Sequence, residues 1–305
     1  MGHPRAVTRT QLLASGRSPF EVKRDLRAGE LVPLAHGVYL PRADYDALDD
    51  VGVHRVWARH VGSTLGPAAA ISHVSAAILH GAPAWNVPLD RVHVSRPHGW
   101  RLTKSLHAHA ARWSDGDIVT VDGVPVTSPA RTVADVARSQ PRAQAVAIGD
   151  ALLRIEPAAR SLLGQALEST AGLTGAARAR SVAGFVDGRS ESVGESLSRV
   201  RMAEYGLPRP DLQRELVARG GRRYRADFFW EDFGIVGEFD GAGKYHDRRD
   251  LVAEKFREDA LRDLGLEVIR WNWAELDHFD VVVRRFDRAV DRSRRLAVPQ
   301  SSARW

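Results

Sequence analysis

Cysteine is absent from the 305 residues. Disulfides, thiolate zinc sites and cysteine nucleophiles are therefore excluded. No apolar run approaches the roughly 20 residues that a helical membrane span needs. The opening Met1-Gly-His-Pro-Arg leads into a polar helical pattern without the apolar core of a signal peptide. A cytoplasmic protein with no membrane partner is expected. Aromatic residues make up 7% of the chain and methionine occurs twice. What is present is a hydrophobic fraction of 44%, enough for substantial cores. The length predicts two or three domains. The net charge is +6 and the sequence pI about 10.0, with arginine far outnumbering lysine. Such basicity suits a polyanionic partner, although a genome that prefers arginine codons produces the same bias.

Start and stop signals are clearest near the N-terminus. Thr10 to Gly16 reads as a short helix ended by glycine. Ser18-Pro-Phe-Glu21 is a helix start, with Ser as N-cap, Pro at the first helical position and Glu at the third. The helix Pro19 to Ala28 is expected to turn Phe20, Val22 and Leu26 toward a core, and Gly29 ends it. Leu31-Val-Pro-Leu and Gly37-Val-Tyr-Leu40 then read as a hairpin. Helix, turn, basic helix and hairpin predict a winged helix-turn-helix over residues 1–45, with Lys23, Arg24 and Arg27 as DNA-contact candidates. A module used only for protein contacts would have the same pattern.

Residues 46–175 predict an α/β middle domain. It holds a helix from Ile71 to His80 and strands at Arg91–Ser95 and Leu106–Ala110. A hairpin over Ile118–Thr127 turns at Asp122-Gly123, and Ser128-Pro129 caps the next helix. His73, His80, His93, His107 and His109 fall in this stretch. His107 and His109 share a strand face, so metal binding is one reading; with no acidic ligand and no His-Glu-x-x-His pattern among them, ordinary strand and surface histidines are the preferred one. Residues 176–189, rich in Gly, Ala and Ser, read as a linker, and 296–305 as a frayed tail.

From residue 190 to 295 the expected order is αβββαβα. Two strands, Tyr224–Trp230 and Ile235–Gly241, flank a turn at Glu231–Gly234. If Trp230 faces Ile235, Asp227 falls opposite Glu238, where Cβ atoms lie about 4.5–5.5 Å apart. Asp240, two residues on, shares the face of Glu238. Like charges so placed repel, and a hard divalent cation between them is the natural remedy. The blander readings are an Arg225–Asp240 ion pair, a turn cap at Asp227, and an arginine from a neighbouring helix on Glu238. Gly237 to Lys244 has the wrong spacing for a phosphate loop. Trp271 and Trp273 read as core.

Two resemblances follow. The pattern Gly16, Leu26, Gly29, Leu31, Leu34 and Gly37-Val-Tyr39, together with the stretch Val124 to Ala137 (VPVTSPARTVADVA), resembles AbiEi-type antitoxins and their winged helix. The Asp227 and Glu238-x-Asp240-Gly241 signature is followed by Arg257, Leu261, Gly265, Val268 and Arg270. This segment resembles the very-short-patch-repair-like endonuclease domains of the PD-(D/E)XK superfamily. That resemblance implies a restriction-endonuclease-like fold and Mg²⁺-dependent (or Mn²⁺-dependent) hydrolysis of DNA phosphodiesters. Asp227, Glu238 and Asp240 are the implied metal ligands, with Glu195 holding a metal-bound water or second ion. The superfamily usually carries lysine where this chain has Asp240. Lys244 or Lys255 is then the replacement cation, and His246 an acid, base or phosphate contact. The departure leaves two functions standing: a DNA endonuclease targeted by its winged helix, and a non-enzymatic DNA-binding regulator or antitoxin-like protein with a degenerate nuclease fold. A protein-interaction scaffold is third. DNA is the expected partner, and a homodimer is compatible with it.

Overall fold

The computed structural model describes residues 4–98, 101–218, 221–241 and 261–297. Over these residues the chain is a mixed α/β, multi-domain protein with twelve α-helices and three sheets. It divides into two compact units, Met1–Val186 and Asp187–Trp305. Among the described residues no helix is long and apolar enough to cross a membrane.

The first unit begins with β1 (Val7–Thr8), α1 (Arg9–Ala14) and α2 (Pro19–Ala28), followed by β2 (Leu31–Ala35) and β3 (Val38–Pro41). The strands form a small sheet in the order β1-β3-β2. Ser18 accepts the Glu21 amide while Glu21 reaches back to the Ser18 amide, and Gly29 ends α2 at φ 76°. Leu12, Val22, Leu31 and Tyr39 make the core of this part. Phe20 is 73% exposed and does not join it. Residues 20 and 22 lie about 200° apart around a helix of 3.6 residues per turn, so Phe20 and Val22 cannot face one core.

After the short helix α3 (Arg42–Asp46), α4 (Asp50–Gly62) packs Trp57 and Ala58 against a six-stranded sheet, and Leu34 and Ala35 join the same cluster. The first 45 residues therefore share a compact unit with residues 46–175. Strands β4 (Ala70–Ile71), β5 (Val92–Arg96), β6 (Arg101–Leu102), β7 (Leu106–Ala110), β8 (Ile118–Val121) and β9 (Val124–Thr127) run in the order β6-β7-β5-β4-β9-β8. Asp122 and Gly123 both have positive φ, as a two-residue hairpin turn requires. Between β4 and β5 lies α5 (His73–Leu79).

Ser128 then caps α6 (Pro129–Ser139), accepting the Arg131 amide. Arg131 is 1% exposed. It donates to Asp117 at 2.7 Å, to Asp135 at 3.1 Å and to the Arg112 carbonyl at 2.8 Å, with its guanidinium 5.0 Å from the Trp113 ring centre. Burying that charge is tolerable only because each side of it is paired. Helices α7 (Arg142–Ile155), α8 (Ala159–Ser169) and α9 (Ala176–Phe185) complete the unit. The linker expected at 176–189 is thus helical over most of its length. Ala179 and Val182 are fully buried, so its alanines pack rather than connect.

The second unit is built on a four-stranded sheet in the order β10-β11-β12-β13. These strands are β10 (Asp211–Val217), β11 (Arg223–Trp230), β12 (Ile235–Asp240) and β13 (Glu267–Asn272). The first three are antiparallel and β13 is parallel to β12. Helix α10 (Val193–Glu204) is tied to the sheet by Trp271 Nε1 donating to Ser198 Oγ at 2.7 Å. The C-terminal helix Asp280–Ala297 buries Val282, Phe286 and Ala289, a 3.6-residue stripe. Phe228 and Ile235 are fully buried, each worth about 1.5–3 kcal/mol of transfer free energy. The helix expected from Arg249 to Leu264 lies largely outside the described residues, as does most of the 296–305 tail.

Candidate functional site

The hairpin between β11 and β12 positions the acids. Trp230 pairs with Ile235 across a 3-10 turn at Glu231–Phe233, and Gly234 takes φ 59° to close it. The ladder continues through Phe229–Val236 to Phe228–Gly237. Counting one residue further brings Asp227 level with Glu238. At this level the Phe239 amide donates to Asp227 Oδ2 at 3.1 Å, so a side chain fills the place of a strand carbonyl. Pairs Leu212–Phe228 and Arg214–Ala226 bracket Gln213 opposite Asp227, and Glu238 pairs directly with Arg270. Gln213, Asp227, Glu238 and Arg270 thus occupy one level across all four strands.

Glu195, from the first turn of α10, meets this level. Its carboxylate accepts the Glu191 amide at 2.9 Å, Ser192 Oγ at 2.8 Å and Gln213 Nε2 at 2.9 Å. Gln213 is held at φ 54° inside a strand, a conformation costing about 1–3 kcal/mol for a residue with a Cβ. Burial raises the Glu195 pKa above its ordinary value, and the negative charge of Asp227 raises it further. Gly194 lets α10 approach: a Cβ there would stand 1.9 Å from the Phe239 ring.

Glu238 is 6% exposed, and its Oε2 accepts Arg270 Nε at 3.3 Å. The arginine comes from the adjacent strand rather than from a helix. Strand alternation places Glu238 and Asp240 on the face away from Phe239, and hence away from Gly194. Arg225, a candidate partner of Asp240, donates to Glu191 at 2.6 Å. Asp227, Glu238 and Asp240 do not bring three ligand oxygens within 4.8 Å of one another. The expected three-acid cluster is therefore spread out. Asp227 is turned to the Phe239 amide, while Glu238 and Asp240 stand two residues apart along one strand, about 6–7 Å. Lys244, His246 and Lys255 lie outside the described residues. Gln213, Arg270 and Gly194 join the site without having been singled out as site residues; register alone could have found the first two.

On α2, Lys23, Arg24 and Arg27 are exposed, and Phe20 shares their outward face by helical spacing. Arg24 is tied to Asp25 at 3.1 Å.

The histidines of the first unit differ from the expectation of ordinary, separate side chains. His73, His93 and His109 each bring one ring nitrogen within 4.8 Å of the others, the group of three that does so among the described residues. The rings of His73 and His109 stack at 3.8 Å, and those of His107 and His109 at 3.9 Å. His73 takes φ 53°. His80 stands apart, bonding the Thr127 carbonyl at 2.8 Å.

No family model matches the chain. It is 31% identical over 245 residues to the uncharacterized protein Rv2248 of Mycobacterium tuberculosis strain H37Rv, covering 80% of this chain and 86% of that protein. The same figures hold for the uncharacterized protein MT2308 of strain CDC 1551. The crystal structure of the RV2827C protein from M. tuberculosis aligns with a TM-score of 0.38 at 17% identity, over 70% of this chain and 84% of that one.

Proposed function

The chain belongs to one family with the M. tuberculosis proteins Rv2248 and MT2308, and from the layout of its C-terminal sheet we propose that it is a Mg²⁺-dependent DNA endonuclease. The observation that carries this reading is the Asp227 carboxylate at the end of the β11–β12 ladder, level with Glu238 and in electrostatic reach of Glu195. The half-buried Asp227 carboxylate and the buried Glu195 repel one another, which fits a hard cation nearby, and magnesium needs only one or two carboxylates with waters and phosphate oxygens. Asp227 and Glu238 would hold the ion, with Mn²⁺ as its substitute. When bound, the ion supplies water activation and charge neutralisation on the scissile phosphate.

The chain's own residues set the rest. Glu195, held by three donors, keeps a fixed acceptor beside Asp227 that can orient a water. Arg270 balances Glu238 and offers a guanidinium to a phosphate oxygen. The N-terminal helices and hairpin would act as a winged helix, presenting Lys23, Arg24 and Arg27 to DNA. A cytoplasmic setting suits this work.

Two observations favour the second reading, a DNA-binding regulator whose site is inactive. Glu238 is already paired with Arg270, and Asp240 occupies the place of a lysine. Incubating the full chain with supercoiled plasmid in Mg²⁺ separates the two. Nicking or linearisation that EDTA abolishes supports the enzyme. Salt-sensitive binding without metal-dependent cleavage supports the regulator.

A further inference from the structure

Three stretches of the first unit carry histidines to one place. β5 and β7 are parallel neighbours, with His93 opposite His107 and Ser95 opposite His109. Ser72, next after β4, donates its amide to the His93 carbonyl at 3.0 Å and so brings His73 beside them. His93 Nδ1 and His109 Nε2 lie 3.0 Å apart.

We propose that His73, His93 and His109 form a binding site for a divalent transition-metal ion of the zinc class. Zinc–imidazole bonds of about 2.0–2.1 Å in tetrahedral geometry set ligand nitrogens about 3.3 Å apart. The His93–His109 separation is already close to that, and one ring nitrogen of His73 lies within 4.8 Å of both. An outer shell is in place: His73 Nδ1 lies 2.9 Å from Ser72 Oγ, and Ser95 Oγ lies 2.8 Å from Ser72 Oγ. With the Nδ1–H donated to the Ser72 hydroxyl oxygen, Nε2 is left to the metal. Burial, reinforced by neighbouring histidines, lowers His93 to about 4 and His109 to about 3. A neutral imidazole keeps one N–H and one lone pair, so each ring offers one nitrogen to the ion, and the proton shared between His93 Nδ1 and His109 Nε2 leaves that contact on loading. An all-imidazole set selects zinc, copper or nickel over magnesium or calcium. Three protein ligands leave a fourth position open.

The test uses the full chain, stripped of metal and held in excess Mg²⁺ so that the carboxylates are occupied. Titration with Zn²⁺ in a calorimeter should show one saturable equivalent. His93→Gln and His109→Gln should each weaken it by about 10-fold or more, and Asp227→Asn should leave it unchanged. X-ray absorption of the zinc-loaded wild type, which needs no variant, should show three or more imidazole ligands. Absence of saturable binding, a spectrum with fewer than three imidazoles, binding that survives both histidine variants, or binding lost in Asp227→Asn would each overturn the proposal.

Discussion

Asp227 Oδ2 accepts the backbone amide of Phe239 at 3.1 Å, the amide that immediately follows Glu238. One carboxylate thus marks where the β11–β12 ladder ends and fixes itself against the neighbouring acid's own backbone. Structural and chemical roles of Asp227 should be separable. Asp227→Asn keeps an oxygen for the amide and should cost at most about 1 kcal/mol, whereas Asp227→Ala strands the donor and should cost about 1–3 kcal/mol. Urea unfolding of the two variants measures the difference.

Gly194→Ala should be destabilising by about 1–3 kcal/mol or more, because its Cβ would fall 1.9 Å from the Phe239 ring. An unchanged denaturation midpoint would mean that α10 does not lie against β12 as described.

Arg131→Met should cost about 3–5 kcal/mol at neutral pH, since it leaves Asp117 buried without the guanidinium and Asp135 with only Arg138 at 3.5 Å. Burial raises the Asp135 pKa against the lowering pull of Arg131. The penalty should shrink in acid, where the buried Asp135 takes up a proton. Stability curves of both proteins at two pH values test this.

Acid should act on the histidine cluster in a defined window. His93 faces His107, His54, Asp90 and Arg91, and His109 faces His107, His93 and Arg138. Their folded pKa values lie below the ordinary 6.5, at about 4 and about 3. The unfolded chain therefore binds protons first. Their contribution to stability is complete above pH 6.5 and is lost as pH falls toward those values. The slope of stability against pH between 6.5 and 4 should flatten in His93→Gln. Equal slopes would contradict the burial described.

If α2 contacts DNA, Arg27→Ala should lower the slope of log affinity against log salt by about 1. Arg24→Ala should do less, because Asp25 already holds that guanidinium. Binding isotherms at several salt concentrations decide between them.

Local chemistry made part of this legible. Ser18, Pro19, Glu21 and Gly29 delimit α2 because caps act within a few residues, and Asp122-Gly123 and Gly234 mark turns for the same reason. Register from Trp230–Ile235 then carried Asp227 to the level of Glu238. Of the histidine cluster only the shared strand face of His107 and His109 was legible. The cluster itself depends on β5 pairing in parallel with β7 and on β4 ending beside them, and no short spacing encodes that juxtaposition. Nor does sequence disclose that Gln213 adopts positive φ, that the Phe239 amide takes a side chain, or that the alanines of α9 pack. Phe20 was misplaced by hydrophobicity where helical period alone places it outside.

The most direct measurement is plasmid cleavage in Mg²⁺ by wild type, Asp227→Asn, Glu238→Gln and the exposed control Glu168→Gln, each verified as folded by circular dichroism. Metal-dependent cleavage by wild type and the control, with loss of about 100-fold or more in the two site variants, is the predicted result. Cleavage that survives Asp227→Asn and Glu238→Gln, or no cleavage by any of the four, would contradict a metal-dependent nuclease site on this sheet.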